Sequence, residues 1–144
     1  MKTTILKYLS VFAVYLTVDV TYQFVFGIPF SQRIQEDAGI RDIFAETIQN
    51  PILILIWFAI MTTAIVKLVV EPAVAAKSIP VAARKGILLG LTAYGTLALP
   101  NGWSLADYPI ALVLEVMLEG LLFAPIASVV TTWWILKKEK APNQ

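Results

Sequence analysis

The sequence predicts an all-α integral membrane protein, a four-helix bundle with both termini cytoplasmic. Three observations carry that prediction. Of the 144 residues, 58% are hydrophobic and only 15% charged, and the mean hydropathy is +0.76. A soluble domain carries about 25% charged residues, and a globule this small could not hide so much apolar surface from water. The apolar residues fall in four long runs, and such runs must be helical in lipid, where the backbone finds no hydrogen-bond partner outside itself. The basic residues are also strongly biased toward one side of a four-span topology. Disorder is excluded by the same composition.

The first run, Ile5 to Phe30, carries Asp19 near its middle and reaches Gly27-Ile28-Pro29 at its end. It is expected to be a span rather than a signal peptide, because it is too long, contains an acid and ends in no small-residue cleavage pattern. The second, residues 51–70, is entered by Asn50-Pro51 and is expected to close at Glu71-Pro72. Proline opens a helix readily because the missing N–H would be unpaired there anyway. The third, residues 81–99, includes Val81 to Lys85 to reach membrane length, and the sequence places a closing turn at Pro100-Asn101-Gly102. The fourth, residues 108–136, is long enough to cross at a tilt, with Pro125 expected to bend it. These runs are too long and too weakly alternating for barrel strands. The chain reads as one transmembrane domain over residues 1–144, without repeats or linkers.

Between the first two runs, Ser31 to Asn50 is polar but patterned. Ile40, Ile43, Phe44 and Ile48 recur at helical spacing opposite Arg41, Asp42 and Glu46. This predicts a short amphipathic helix in the first outer loop, with an ordinary ordered loop as the alternative. Gly86 and Gly90 form a small-xxx-small pattern that lets helices approach closely, and packing is the reading preferred for them.

With four spans, Lys2, Lys7, Lys67, Lys77, Arg84, Lys85, Lys137, Lys138 and Lys140 lie on one side and Arg33 and Arg41 on the other. Positive charge marks the cytoplasmic side, so the expected place is the plasma (inner) membrane, crossed several times. Trp133-Trp134 and Trp103 suit the inner and outer interfaces.

Several chemistries are excluded. There is no Cys, hence no disulfide, thiolate nucleophile or Cys-ligated metal, and no His, the commonest acid–base group and metal ligand. No cofactor is expected. A net charge of +1 argues against nucleic acid as a partner. No P-loop, dinucleotide fingerprint or zinc signature is present. Ser10, Ser78 and Ser128 lack a base at matching depth, which speaks against a serine nucleophile.

The informative residues are three acids at membrane depth, Asp19, Glu115 and Glu119. At ~1.5 Å of rise per residue, Asp19 lies roughly 13 Å below the outer end of its run, and the glutamates roughly 10 and 16 Å below Tyr108. Glu115 and Glu119 are four apart and share a helix face. Ionised acids are expensive in hydrocarbon, so the three are expected to turn toward a shared interior, sharing one or two protons or holding a bound cation. Tyr22, Tyr94 and Thr96 are the polar neighbours expected to complete a binding site. Tyr15, Gln23, Thr62, Thr63 and Thr92 offer further hydrogen bonds. The opposing reading makes the same groups structural glue between helices.

Two functional readings compete. One is a proton-linked transporter or small-solute binding protein, with lipid around it and a small cationic or polar solute or a proton as ligand. The other is an accessory or assembly subunit bound to a membrane protein partner. A membrane-embedded enzyme, with paired carboxyls as acid and base, ranks below both.

The chain also resembles a family of predicted bacterial membrane proteins, domain of unknown function 2177, from about Tyr15 to Trp134. The resemblance rests on Asp19 followed by Tyr22, on the stretch Ala93-Tyr94-Gly95-Thr96-Leu97-Ala98-Leu99-Pro100-Asn101, and on Glu115 with Gly120. The family carries Asp and Thr where this chain has Ala98 and Pro100, and the spacing from Glu115 to Gly120 differs by one. Any role of that third-helix Asp is therefore lost here, unless Glu119 takes it over. The resemblance implies a helical membrane architecture and no established activity.

Overall fold

The structure, a computed structural model, describes residues 2–39, 51–104 and 108–140. Among them every regular element is helical, in four rods. The first comprises α1 (Lys2–Tyr22), a π-helical turn (Gln23–Gly27) and α2 (Ile28–Asp37). The second comprises α3 (Pro51–Ala64), a second π-helical turn (Ile65–Val70) and α4 (Glu71–Ala75). α5 (Ile79–Ser104) is the third rod and α6 (Ile110–Lys140) the fourth. The predicted amphipathic helix around Ile40 to Ile48 lies outside the described residues.

The prolines do not end helices here, contrary to the expectation at three places. The first rod passes Pro29, the second passes Pro72, and α5 runs through Pro100 to Ser104. Proline lacks an N–H, and its ring crowds the carbonyl four residues back. At Pro29 and Pro72 that carbonyl belongs to Val25 and Leu68, each inside a π-helical turn. The wider turn makes room: the Ile28 N–H reaches back five residues to the Gln23 carbonyl, and the Glu71 N–H to that of Val66. Hydrocarbon leaves no solvent for a broken helix end, so the rod absorbs the proline instead of stopping.

Three rods, Thr4–Asp37, Pro51–Ala75 and Ile110–Glu139, are long and apolar enough to cross a membrane. α5 has the length, about 39 Å at 1.5 Å per residue, but carries Arg84 and Lys85 at one end and Asn101 and Ser104 at the other. The exposed surface is that of a lipid-immersed protein. Phe24 and Val25 are 75% and 76% exposed, and Ile52 to Ile56, Leu88, Ile110 and Leu114 also face outward. In water so large an apolar surface would aggregate.

The fourth rod is the hub. Its pairing with α5 is the most extensive in the molecule, and α1 packs on it next. A Cβ built on Gly90 would lie 1.8 Å from the Gly120 carbonyl oxygen, and one on Gly86 would lie 2.7 Å from Pro125 Cα. Only hydrogen fits in that seam, so the Gly86–Gly90 pattern is a packing surface. The core between the rods joins Val11, Tyr15, Phe58, Met61, Ile65, Tyr94 and Phe123. Toward the basic end it becomes polar: Ser128, Thr131 and Thr132 are fully buried, and the Ser10 and Thr131 hydroxyls hydrogen-bond at 3.2 Å.

The second rod turns into the third at Ala76-Lys77-Ser78. The Lys77 N–H bonds the Val74 carbonyl and the Ser78 N–H the Ala73 carbonyl, both at 3.0 Å. This paired closure places its penultimate residue in the left-handed region, where glycine is usual. Here it is Lys77, at φ +48°.

Candidate functional site

The first rod meets the fourth along a stripe with a spacing of four: Val11, Tyr15, Asp19, Gln23, Gly27, Ser31, Gln35. In a 3.6-residue helix such a stripe drifts about 40° per step. The π-helical turn at Gln23–Gly27 has more residues per turn and rotates the later members back. Gly27, Ser31 and Gln35 are accordingly buried.

Against this stripe α6 sets Glu115 and Glu119, one turn apart and 4% and 9% exposed. The Gln23 Nε2 donates to Glu119 Oε1 at 2.6 Å. The two carboxyls are close enough to interact electrostatically. Glu115 Oε1 is buried with no hydrogen-bond partner, and so is the nearby Tyr22 hydroxyl. Gly27 makes the room, since a Cβ there would fall 3.2 Å from Glu115 Oε1 and 2.5 Å from Gln23 Oε1. A cavity of about 80 Å³ remains, lined by Gln23, Ile28, Ser31, Gln32, Glu115 and Glu119.

Asp19 stands one turn deeper on the first rod, half-buried and four residues before Gln23, the residue that bonds Glu119. Among the described residues no three acids come together closely enough to hold a metal ion, so the trio is a glutamate pair with an outlying aspartate. Below them the Tyr15 and Tyr94 hydroxyls hydrogen-bond to each other inside an aromatic cluster. Phe123 sits 6.2 Å from Tyr15, 6.0 Å from Tyr94 and 5.3 Å from Tyr22, all edge-on. Tyr94 therefore belongs to the floor beneath the acids.

Thr96 is not brought to the site. It is exposed, and its hydroxyl bonds the Ala93 carbonyl at 2.8 Å. Thr63 does the same with Ala59, and Thr92 is exposed. Thr62 is buried with an unbonded hydroxyl but lines no part of the carboxylate cavity. Conversely, Ser31 and Gln32 line the cavity although composition assigns them to an outer loop. The signal that places Ser31 is the four-residue stripe continued past Pro29.

The family model described as predicted membrane protein (DUF2177) matches residues 4–133. No curated protein and no solved structure matches the chain.

Proposed function

The chain belongs to the DUF2177 family of predicted membrane proteins, and within that setting we propose that Glu115 and Glu119 form a site that exchanges a proton for a small monovalent cation. The observation that carries this reading is the bare Glu115 Oε1, buried against the cavity with nothing bonded to it. A buried carboxylate oxygen left without a partner is unfavourable, and a proton, a water or a cation relieves it. The cavity, about 80 Å³, is far below the roughly 300–1,000 Å³ of sites for drug-sized molecules. Its ligand is therefore ion-sized. Gln23 holds one carboxylate in place, and Tyr22, Ser31 and Gln32 can supply hydroxyl or amide oxygens to an incoming ion. The displaced proton leaves to water, and Asp19, half-buried one turn deeper, is the nearby carboxylate that can take it up.

The nine-to-two distribution of basic residues supports a topology with both termini cytoplasmic and the acids in the outer half of a plasma membrane. Reporter fusions at either terminus test it.

Proteoliposomes loaded with a pH-sensitive dye test the exchange. Sodium, potassium or methylammonium added outside should move protons out in wild type, and Glu115→Gln should abolish the response while the purified variant stays monodisperse. The reading is wrong if wild type answers none of the three cations, or if Glu115→Gln responds like wild type.

A further inference from the structure

At the opposite end of the bundle the ends of three rods meet. A groove of about 460 Å³ lies between the turn after α4 and the end of α6, lined by Lys77, Ser78, Pro80, Trp133, Leu136 and Lys137. Its rim is cationic and its floor apolar. Lys77 and Lys137 are both exposed, and among the described residues neither pairs with a carboxylate. The nearest acid in sequence to Lys77, Glu71, is engaged by Lys67 at 3.1 Å. Lys137 lies over the Trp133 ring at 5.0 Å, an arrangement that holds its ammonium at the groove's edge.

The backbone adds an independent observation. Lys77 occupies the left-handed region at φ +48°, a conformation that strains any residue with a Cβ. Glycine is the ordinary choice for such a helix ending. A lysine here sets a positive charge at the mouth of the groove against the local backbone preference. From the groove, Trp133, Val130 and Ile126 continue down α6 as an exposed apolar stripe at helical spacing. A neighbouring groove, of about 190 Å³, carries Lys7 and Lys138 but also Glu139, whose charge would repel an anion.

We propose that the Lys77–Lys137 groove binds an anionic phospholipid. Its phosphate sits between the two ammonium groups, and an acyl chain lies along Trp133, Val130 and Ile126. The cationic rim selects the headgroup, and the stripe makes the ligand a lipid rather than a free phosphate. The site is separate from the carboxylate pair and does not rest on it.

The test is phosphatidylglycerol binding to the purified full chain, followed by native mass spectrometry against phosphatidylcholine. Wild type should prefer phosphatidylglycerol. Lys77→Gly and Lys137→Gln should each weaken that preference about fivefold, the usual worth of one lysine at an anionic surface, and the pair about twenty-five-fold. Lys77→Gly separates binding from folding, because glycine relieves the strained φ and should raise thermal stability in neutral detergent while binding falls. The proposal fails if either lipid binds wild type equally, if the variants keep the preference, or if inorganic phosphate displaces phosphatidylglycerol at equal concentration.

Discussion

Two seams converge on the fourth rod, and both are built with glycine. In the seam with α5, Gly90 and Gly120 face one another, and the backbones close until a Cβ would overlap a carbonyl oxygen. In the seam with the first rod, Gly27 faces Glu115, and the space it frees is taken by a carboxylate, an amide and a small cavity. The same residue thus serves opposite ends. Glycine against glycine yields a dry contact held by dispersion along the rods. Glycine against a buried acid leaves room for a polar group that has no fixed partner.

The largest effect should come from closing the tight seam to a side chain. Gly90→Val puts two methyl groups into the Gly120 backbone, and thermal unfolding in mild detergent should show a loss on the order of 3 kcal/mol or more. Gly95→Ala, on the same helix, meets nothing nearer than a Leu99 methyl at 4.0 Å. It should leave stability unharmed or raise it by up to about 1 kcal/mol, since alanine is the better helix former. Equal damage from both variants would show that the seam is not specially close. A smaller effect belongs to the polar seam. Gln23→Leu removes the 2.6 Å bond to Glu119 and should lower stability by about 1–2 kcal/mol. It should also speed carbodiimide labelling of Glu119 as that carboxylate is freed, and unchanged labelling would count against the bond. The smallest effect is expected of Thr96→Val, whose hydroxyl serves only its own helix. Both its stability, within about 0.5 kcal/mol, and the proteoliposome proton signal should match wild type. A lost signal would return Thr96 to the site.

Much of this arrangement is legible along the chain, and the failures share a cause. The shared helix face of Glu115 and Glu119 follows from their spacing of four, and the close approach at Gly90 from the small-xxx-small spacing. Pro29, Pro72 and Pro100 mislead because proline ends helices in water, where exposed carbonyls are solvated. In lipid the two π-helical turns keep the chain bonded, and the first rod therefore carries Ser31 and Gln35 into the interior as helix rather than loop. Thr96 misleads for another reason. It lies two residues from Tyr94, and residues two apart point to different sides of a helix.

What the sequence determines by itself is the solvent and the material: an excess of apolar residues in long runs commits the chain to lipid, and lipid commits the runs to helices, because each backbone group must be bonded within its own segment. Tertiary structure decides which acids pair. Glu115 and Glu119 sit together on one helix whatever the packing, but whether Asp19 and Gly27 share a face toward them depends on how far the π-helical turn rotates the two halves of the first rod. That rotation is fixed by contacts between distant residues such as Gly27 and Glu115.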